Sequence, residues 1–492
     1  MRRLALIDAF FLMNETRQTP MHVGGVNLFT LPEGADEQEF LSHLGNILRH
    51  EGPLRRPFGE RLKMGPLGVA GPLYWEPDTQ LDMDYHVRHS ALPKPGRYRE
   101  LFALVSRLHG TLLDRNRPLW EMHLIEGLHK RQFATYMKAH HCAIDGIGAM
   151  HLTQSMMSGT PRTRIRYSPF SVEAHEAYRR KLDARKSRVQ EPAPHELRAV
   201  AEALKQQFDS GRNIVAALGR YANVWLGRGG DLAVPWHRIP RTPFNTAVSG
   251  SRRFVAQSWP FARVRAVGKA FDGTLNDAVL AICAGALRRH LIDEGELPAH
   301  SLKAMAPVSL RAEGDLDSAN AVGFLTADLA TNIADPDKRF AAIRHSMQAG
   351  KQQLAGMTPR EIELYTVVTQ GPMLLSTVLG LASRFPAFST VVSNVPGPRE
   401  TMYWNGARLD GIYPASIPFH GFALNITLVS YGGNLDFGIA ACRRSVPRVQ
   451  RLIDYMEEAL VELEVTAGLR KAPRKTGAAR RGRTRTATRV RP

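Results

Sequence analysis

Cysteine is nearly absent. Cys142, Cys283 and Cys442 are the only three in a chain of 492 residues. They are far apart and odd in number, which excludes a disulfide framework and a cysteine zinc site and fits a reducing compartment. Acid is scarce beside base: 46 Asp and Glu stand against 65 Lys and Arg, for a net charge of +19. After residue 470 acid is missing altogether. Residues 471–492 hold nine basic side chains and no acidic one, which leaves +10 on the rest of the chain. That tail is too poor in apolar residues to bury a core, and it lacks the aromatics on which bases stack. It reads as a solvated basic segment with an attraction for an anionic lipid surface, and nucleic acid is not the expected partner. Long apolar runs are wanting too. The longest stretch free of charged and histidine side chains, Leu364–Ser383, is twenty residues long. Thr366, Thr369, Gln370, Gly371, Pro372, Ser376 and Thr377 break it, so it reads as a core helix or a helix dipping into an interface rather than a membrane span. Asp8 interrupts the apolar residues after Met1-Arg2-Arg3, and no small-residue cleavage site follows. No signal peptide is read there.

What is present is an ordinary globular composition, 43% hydrophobic and 23% charged. The length suffices for two or three domains or one pseudo-duplicated unit. Hydrophobic periodicity places helices over residues 4–13, 37–49 and 99–113, and strands over 20–29, 85–92, 118–124 and 132–140. Residues 158–195 turn polar, charged and proline-containing and read as a linker. Leu197, Val200, Leu204 and Phe208 mark a crossover helix running towards Trp225, and Gly227–Ser251 reads as a second linker. A similar order then repeats. It has a strand over 253–259, helices over 261–270 and 275–291, and strands over 302–310 and 323–329. Helices over 339–354 and 359–383 follow, then strands over 390–394, 423–431 and 435–441, and a closing helix over 446–463. The division is an N-terminal half, 1–160; a linker with crossover helix, 161–251; a C-terminal half, 252–470; and the tail, 471–492. Helices packed on strands with mixed connections make an α/β fold with largely antiparallel or mixed sheets. The natural site of such a protein is the cleft between its halves.

Chemistry concentrates at His140-His141-Cys142-Ala143-Ile144-Asp145-Gly146, between an apolar strand and the start of a helix. Neighbouring strand side chains point to opposite faces, so one histidine can meet a substrate while the other packs behind it. A neutral imidazole suits proton abstraction from an alcohol, amine or thiol. Asp145 can position the turn or pair with an arginine, and Gly146 permits a bend. A histidine pair satisfied within a core turn is the competing reading of the same residues. Diverging strand histidines without a third ligand do not make a metal site, and no metal is expected. Cys142 shows no base partner in sequence and points away from His141, so it is not read as a nucleophile.

His140-His141-x-x-x-Asp145-Gly146 resembles the HHxxxDG signature of acyl-CoA-dependent acyltransferases, which include chloramphenicol acetyltransferase and condensation domains. Six further segments resemble, in order, the motifs of the bacterial wax ester synthase/diacylglycerol acyltransferase family. They are Pro20–Gly24, Arg117–Glu121, Asn276-Asp277, Pro307–Arg311, Ser393–Pro398 and Ala423–Thr427. The resemblance runs from residue 4 to residue 468 and leaves out the tail. It implies two chloramphenicol-acetyltransferase-like halves with mixed sheets flanked by helices and an active-site cleft between them. It implies O-acyl transfer from acyl-CoA to a long-chain alcohol, and also to diacylglycerol, with acyl-CoA as substrate and no cofactor. The family's base is the second histidine, so the resemblance gives His141 the hydroxyl proton and the oxygen a direct attack on the thioester, with no covalent acyl-enzyme. Asp145 inherits a structural role, for which Arg311 is a candidate salt-bridge partner.

An oxyanion needs a donor about 3 Å away. Asn276, Ser309 and Asn425 are the side-chain candidates, beside a backbone N–H. Thr274 and Asp277 resemble a capping box, which makes Asn276-Asp277 equally a helix start. Asn425 lies in an apolar strand, where a buried amide must find partners. Pro118-Leu119-Trp120 reads as cleft wall or as core packing. Arg252, Arg253 and Arg311 are candidates for the phosphates of CoA, with a solvated charged face as the competing reading. Two rivals stand beside this reading: a carrier-protein-dependent condensation-type acyltransferase, disfavoured because no carrier domain is visible, and a non-catalytic lipid-droplet-binding protein, opposed by the intact motif. The expected location is cytoplasmic, with peripheral attachment to membrane or lipid droplets.

Overall fold

The computed structural model of the chain describes residues 1–187, 216–309 and 322–471, apart from residues 5, 50–51, 66–67, 227, 229–231 and 356. The basic tail, most of the crossover helix and Arg311 lie outside the described residues. The elements, in order, begin with β1 (Arg2–Arg3), α1 (Leu6–Asn14), β2 (His22–Thr30), α2 (Glu37–Leu48), β3 (Glu60–Gly65) and β4 (Gly68–Pro77). Then come α3 (Met83–His86), β5 (Val87–Ala91), α4 (Tyr98–His109), β6 (Trp120–Leu128), β7 (Gln132–His140), α5 (Gly146–Ser155) and α6 (Val172–Ser187). A helical segment over residues 216–225 is α7. The C-terminal part has β8 (Arg252–Pro260), α8 (Phe261–Ala270), α9 (Leu275–Glu294), β9 (Lys303–Ser309), β10 (Val322–Asp328), α10 (Pro336–Leu354) and α11 (Pro359–Val378). It closes with β11 (Thr390–Pro396), β12 (Tyr403–Trp404), β13 (Ala407–Ala415), β14 (Leu424–Tyr431), β15 (Asn434–Cys442) and α12 (Arg451–Thr466).

Two mixed six-stranded sheets form the body. The first has the order β12-β13-β2-β7-β6-β5 and the second β10-β9-β11-β14-β15-β8. Parallel pairs occur at β5–β6 in the first and at β11–β14 and β11–β9 in the second. A third sheet, β1-β4-β3, covers one side. Helix α9 is buried nearly all round, from Asp277 to Leu287, as expected of a helix at the centre of a core. Its start is the anticipated capping box, with Thr274 N–H on Asp277 Oδ2 at 2.7 Å and Asp277 N–H on Thr274 Oγ1 at 3.3 Å.

Sequence reading and structure part at three places. The expected linker over 158–195 contains α6, whose charged surface disguises an ordered helix. The hairpin of β3 and β4 was not anticipated, because its proline and glycine content reads as loop. The third difference shapes the whole molecule. Strand β13 leaves the second half and pairs antiparallel with β2 of the first. Asp436, fully buried on β15, latches that crossover by accepting from Ile412 N–H at 2.8 Å and Ser258 Oγ at 2.6 Å. The halves therefore share cores: Val429 and Tyr431 of β14 pack in the same apolar cluster as Trp120 and Met150.

Candidate active site

Pairing of β2 with β7 sets His22 opposite His140 at the end of the first sheet. The chain then turns, with His141 N–H donating to Met21 O at 2.9 Å. The two imidazoles part as alternation requires. His140 is fully buried. Its Nδ1 faces two donors of Cys142, the thiol at 2.9 Å and the backbone N–H at 3.2 Å. An Nδ1 that accepts leaves the ring proton on Nε2, which faces Glu15 Oε1 at 3.5 Å. Glu15, at the end of α1, also accepts from Met21 N–H at 3.1 Å and pairs with Arg115 at 3.0 Å. Arg115 in turn donates to Leu12 O at 2.9 Å. Burial pushes the Glu15 carboxyl up, but His140, the Met21 N–H and Arg115 outweigh it and hold it below the usual range. Neither Glu15 nor Arg115 was a sequence candidate, since an acid 125 residues before its histidine carries no local signal. Cys142 does have a neighbouring base, contrary to expectation. Burial raises its thiol pKa well above the ordinary value, so it remains a donor and not a thiolate nucleophile.

His141 faces the other way and is half-buried. Its ring lies flat on Phe11 of α1, with centroids 4.0 Å apart and planes 9° from parallel. Burial lowers its pKa to about 4, with Asp145 pulling it up and His140 pushing it down. The imidazole is therefore neutral at physiological pH, the form that can accept a proton. Phe11 packs against an apolar cluster drawn from both halves: Met21 from the first, and Met305, Phe388, Val391 and Phe422 from the second. His141 thus stands where the halves meet, beside apolar surface.

Asp145 is the N-cap of α5 and accepts Gly148 N–H at 2.8 Å. The glycine that matters sterically is Gly148. A Cβ there would meet Ile144 Cγ1 at 2.9 Å, whereas at Gly146 it would meet only Val395 Cγ2 at an ordinary 3.6 Å. Gly146 is also the first helical residue, without positive φ, so the bend expected of it is not what the structure uses.

The remaining candidates separate. Asn425 is buried on β14, paired in register with Val391 of the shared cluster, and its Oδ1 accepts Thr427 Oγ1 at 2.8 Å. Leu424, Ile426 and Leu428 point into the second core, so alternation turns Asn425 and Thr427 towards the first half. Asn276 is exposed in the first turn of α9 and accepts from Asn394 Nδ2 at 2.8 Å. Ser309 ends β9. Trp120 does not line the cleft. It stacks on His86 and packs tilted against Phe170, with Nε1 donating to Phe58 O at 2.9 Å. Leu119 packs with Leu12, Trp75 and Cys142, and buried Pro118 precedes it. A large ring with its N–H satisfied is core packing, and the backbone before it holds the turn, with His140 N–H donating to Leu119 O at 2.9 Å. Arg252 is buried on backbone carbonyls of Gln18 and Pro418 and is not offered to a phosphate. Among the described residues no group of three His, Cys, Asp or Glu side chains is placed to hold a metal ion. No single described helix is long and apolar enough to cross a membrane.

Two interlocked α/β halves with HHxxxDG at their junction define the class of two-half acyltransferases. The chain belongs, within that class, to the wax ester synthase/diacylglycerol acyltransferase family. The family's catalytic domain matches residues 4–279 and its C-terminal domain residues 318–464. The O-acyltransferase WSD of Acinetobacter baylyi is 40% identical over 461 residues, covering 94% of this chain and 96% of that protein. A protein named as a probable diacylglycerol O-acyltransferase of Mycobacterium tuberculosis is 40% identical over 94% of this chain and 98% of its own. The solved wax ester synthase/diacylglycerol acyltransferase of Marinobacter aquaeolei is 38% identical with a TM-score of 0.74, covering 95% of this chain and all of that one. The starter condensation domain of rhizomide synthetase, 13% identical at a TM-score of 0.54 over 95% of this chain and 94% of its own, shares the fold. The chain is an acyltransferase.

Proposed function

We propose that this enzyme transfers a fatty acyl group from acyl-CoA to the hydroxyl of a long-chain alcohol, giving a wax ester, and to diacylglycerol, giving triacylglycerol. The observation that carries the reading is a neutral imidazole, His141, stacked on Phe11 at an apolar junction of the halves. That is a base for a hydroxyl whose tail is hydrocarbon. His141 takes the hydroxyl proton as the oxygen attacks the thioester carbon. The tetrahedral oxyanion collapses, the C–S bond breaks, and the CoA sulfur receives the proton back from His141. Asn425 is the oxyanion donor this reading favours: its Oδ1 is occupied by Thr427, and Nδ2 is the donor left on an amide turned towards the first half. Glu15, Arg115 and His140 hold the turn, and Asp145 caps the helix that follows. The acceptors are insoluble, so the enzyme works peripherally at a cytoplasmic membrane or lipid-droplet surface.

The test is release of CoA thiol from palmitoyl-CoA with hexadecanol and, separately, with diacylglycerol. His141→Ala is expected to lose nearly all turnover while keeping the native circular-dichroism spectrum. Full activity in that folded variant would end the mechanism.

A further inference from the structure

Helix α11 is built inside out. Its buried side carries Glu361, Thr366 and Thr369 with Tyr365, and its solvent side carries Leu364, Val367 and Val368, 53%, 56% and 50% exposed. A surface helix ordinarily shows the reverse. The following turn continues the apolar surface with Leu379, Leu381 and Phe385. From Leu364 to Arg399 there is no acid, and the only charges are Arg384 and Arg399. Segment α7 lies alongside, with Tyr221 edge-on to Tyr365 and Gln353 bridging Ala217 O and the Tyr365 hydroxyl. One turn on, Trp225 and Leu226 are exposed. Residues 210–230 likewise hold three arginines and no acid. A cavity of about 460 Å³ opens between α7 and α10, lined by Arg220, Arg228, His345, Gln348 and Gln352. On its inner side α11 reaches the reaction centre: Met373 packs on the apolar cluster that Phe11 joins, and Phe11 lies on His141.

We propose that the outer face of α11, with residues 379–385 and the exposed end of α7, seats the enzyme on an anionic phospholipid membrane, from which the acceptor passes to His141. Apolar side chains enter the acyl boundary, and the arginine-lined cavity takes a phosphate headgroup. Exposed apolar side chains grouped in this way mark an interaction site, and the arginines beside them, Arg220, Arg228 and Arg384, fit an anionic partner. The proposal rests on the hydrophobic-acceptor reading above.

The test compares the wild type with the pair Val367→Asp and Val368→Asp, and with Arg228→Glu. The probe is sedimentation with vesicles of phosphatidylglycerol and phosphatidylcholine, pure phosphatidylcholine serving as the uncharged arm. The aspartate pair is expected to bind at least tenfold more weakly, and Arg228→Glu to lose the preference for the anionic lipid. Both should keep turnover with a short, water-soluble alcohol within twofold. Unchanged binding by the aspartate pair overturns the proposal. So does a wild-type dimer, seen by light scattering, that the pair splits into monomers, since a second copy then covers this face. If the pair does not fold, Val368→Cys carrying a polarity-sensitive dye decides, the three native cysteines being buried. No emission shift with vesicles overturns the proposal. Vesicle binding without ester formation from hexadecanol sinks the acceptor reading and leaves the docking face standing.

Discussion

The ring of Phe11 lies flat on the imidazole of His141, 4.0 Å between centroids. The contact shields the imidazole from water, and burial is what lowers its pKa to about 4. A base works in its neutral form, so kcat/KM should stay level from neutrality down and fall only as pH drops through the lowered value. Phe11→Ala rehydrates the ring and moves its pKa towards the ordinary 6.5. The acid limb is expected to shift up by about one pH unit or more. A pH–rate profile of both proteins checks it, and superimposable acid limbs would count against desolvation as the cause.

Glu15 is expected to matter to stability before chemistry. Glu15→Ala takes away the buried carboxylate that pairs with Arg115, accepts Met21 N–H and faces His140 Nε2, at a cost of roughly 3–5 kcal/mol. Glu15→Gln keeps an oxygen for Met21 N–H and should lose less. The carboxyl is held below its usual pKa, so its stabilisation is present above about pH 4.5 and fades as pH falls through the lowered value. Urea unfolding at pH 7 and pH 4 reads both effects. Equal stability of wild type and Glu15→Ala at pH 7 would refute them.

Asp145 has two separable duties. Asp145→Asn keeps an N-cap acceptor for Gly148 N–H but removes the charge that raises the His141 pKa. Its acid limb should move down and its kcat should fall, because the base is weaker. Asp145→Ala loses the cap as well, costing about 1 kcal/mol. Thermal unfolding together with the pH profile distinguishes the two variants.

The two asparagines should behave oppositely. Asn425→Ala is expected to lower kcat roughly a hundred- to thousandfold with little change in KM, the signature of a lost oxyanion donor. Asn276→Ala removes one exposed hydrogen bond to Asn394 and should cost about 1 kcal/mol or less. The reverse ranking in steady-state kinetics would move the oxyanion site to the start of α9.

Much of the fold was legible because its signals are local. Leu41, Leu44 and Leu48 recur at helical spacing in α2, and Asp36 caps it. Thr274 and Asp277 announced the start of α9 three residues apart. The charged α6 and the glycine- and proline-bearing hairpin were not legible, since polarity and chain-breaking residues imitate loop. Trp120 was ambiguous for a related reason: apolar bulk looks the same in sequence whether it lines a cleft or fills a core.

At the site, the chain alone determined that His140 and His141 diverge, because alternation along a strand is a property of the backbone. It also determined the family, because the motifs are short and linear. Only the tertiary structure decided what each histidine meets. Glu15 reaches His140 and Phe11 covers His141 because α1 folds back over the end of β7. Asn425 faces the first half because alternation along β14 turns it away from the second core, and the crossover of β13 locks that half in place. These partners lie more than a hundred residues from the motif, and no periodicity records a contact between segments that meet only when the apolar faces of both halves close on each other.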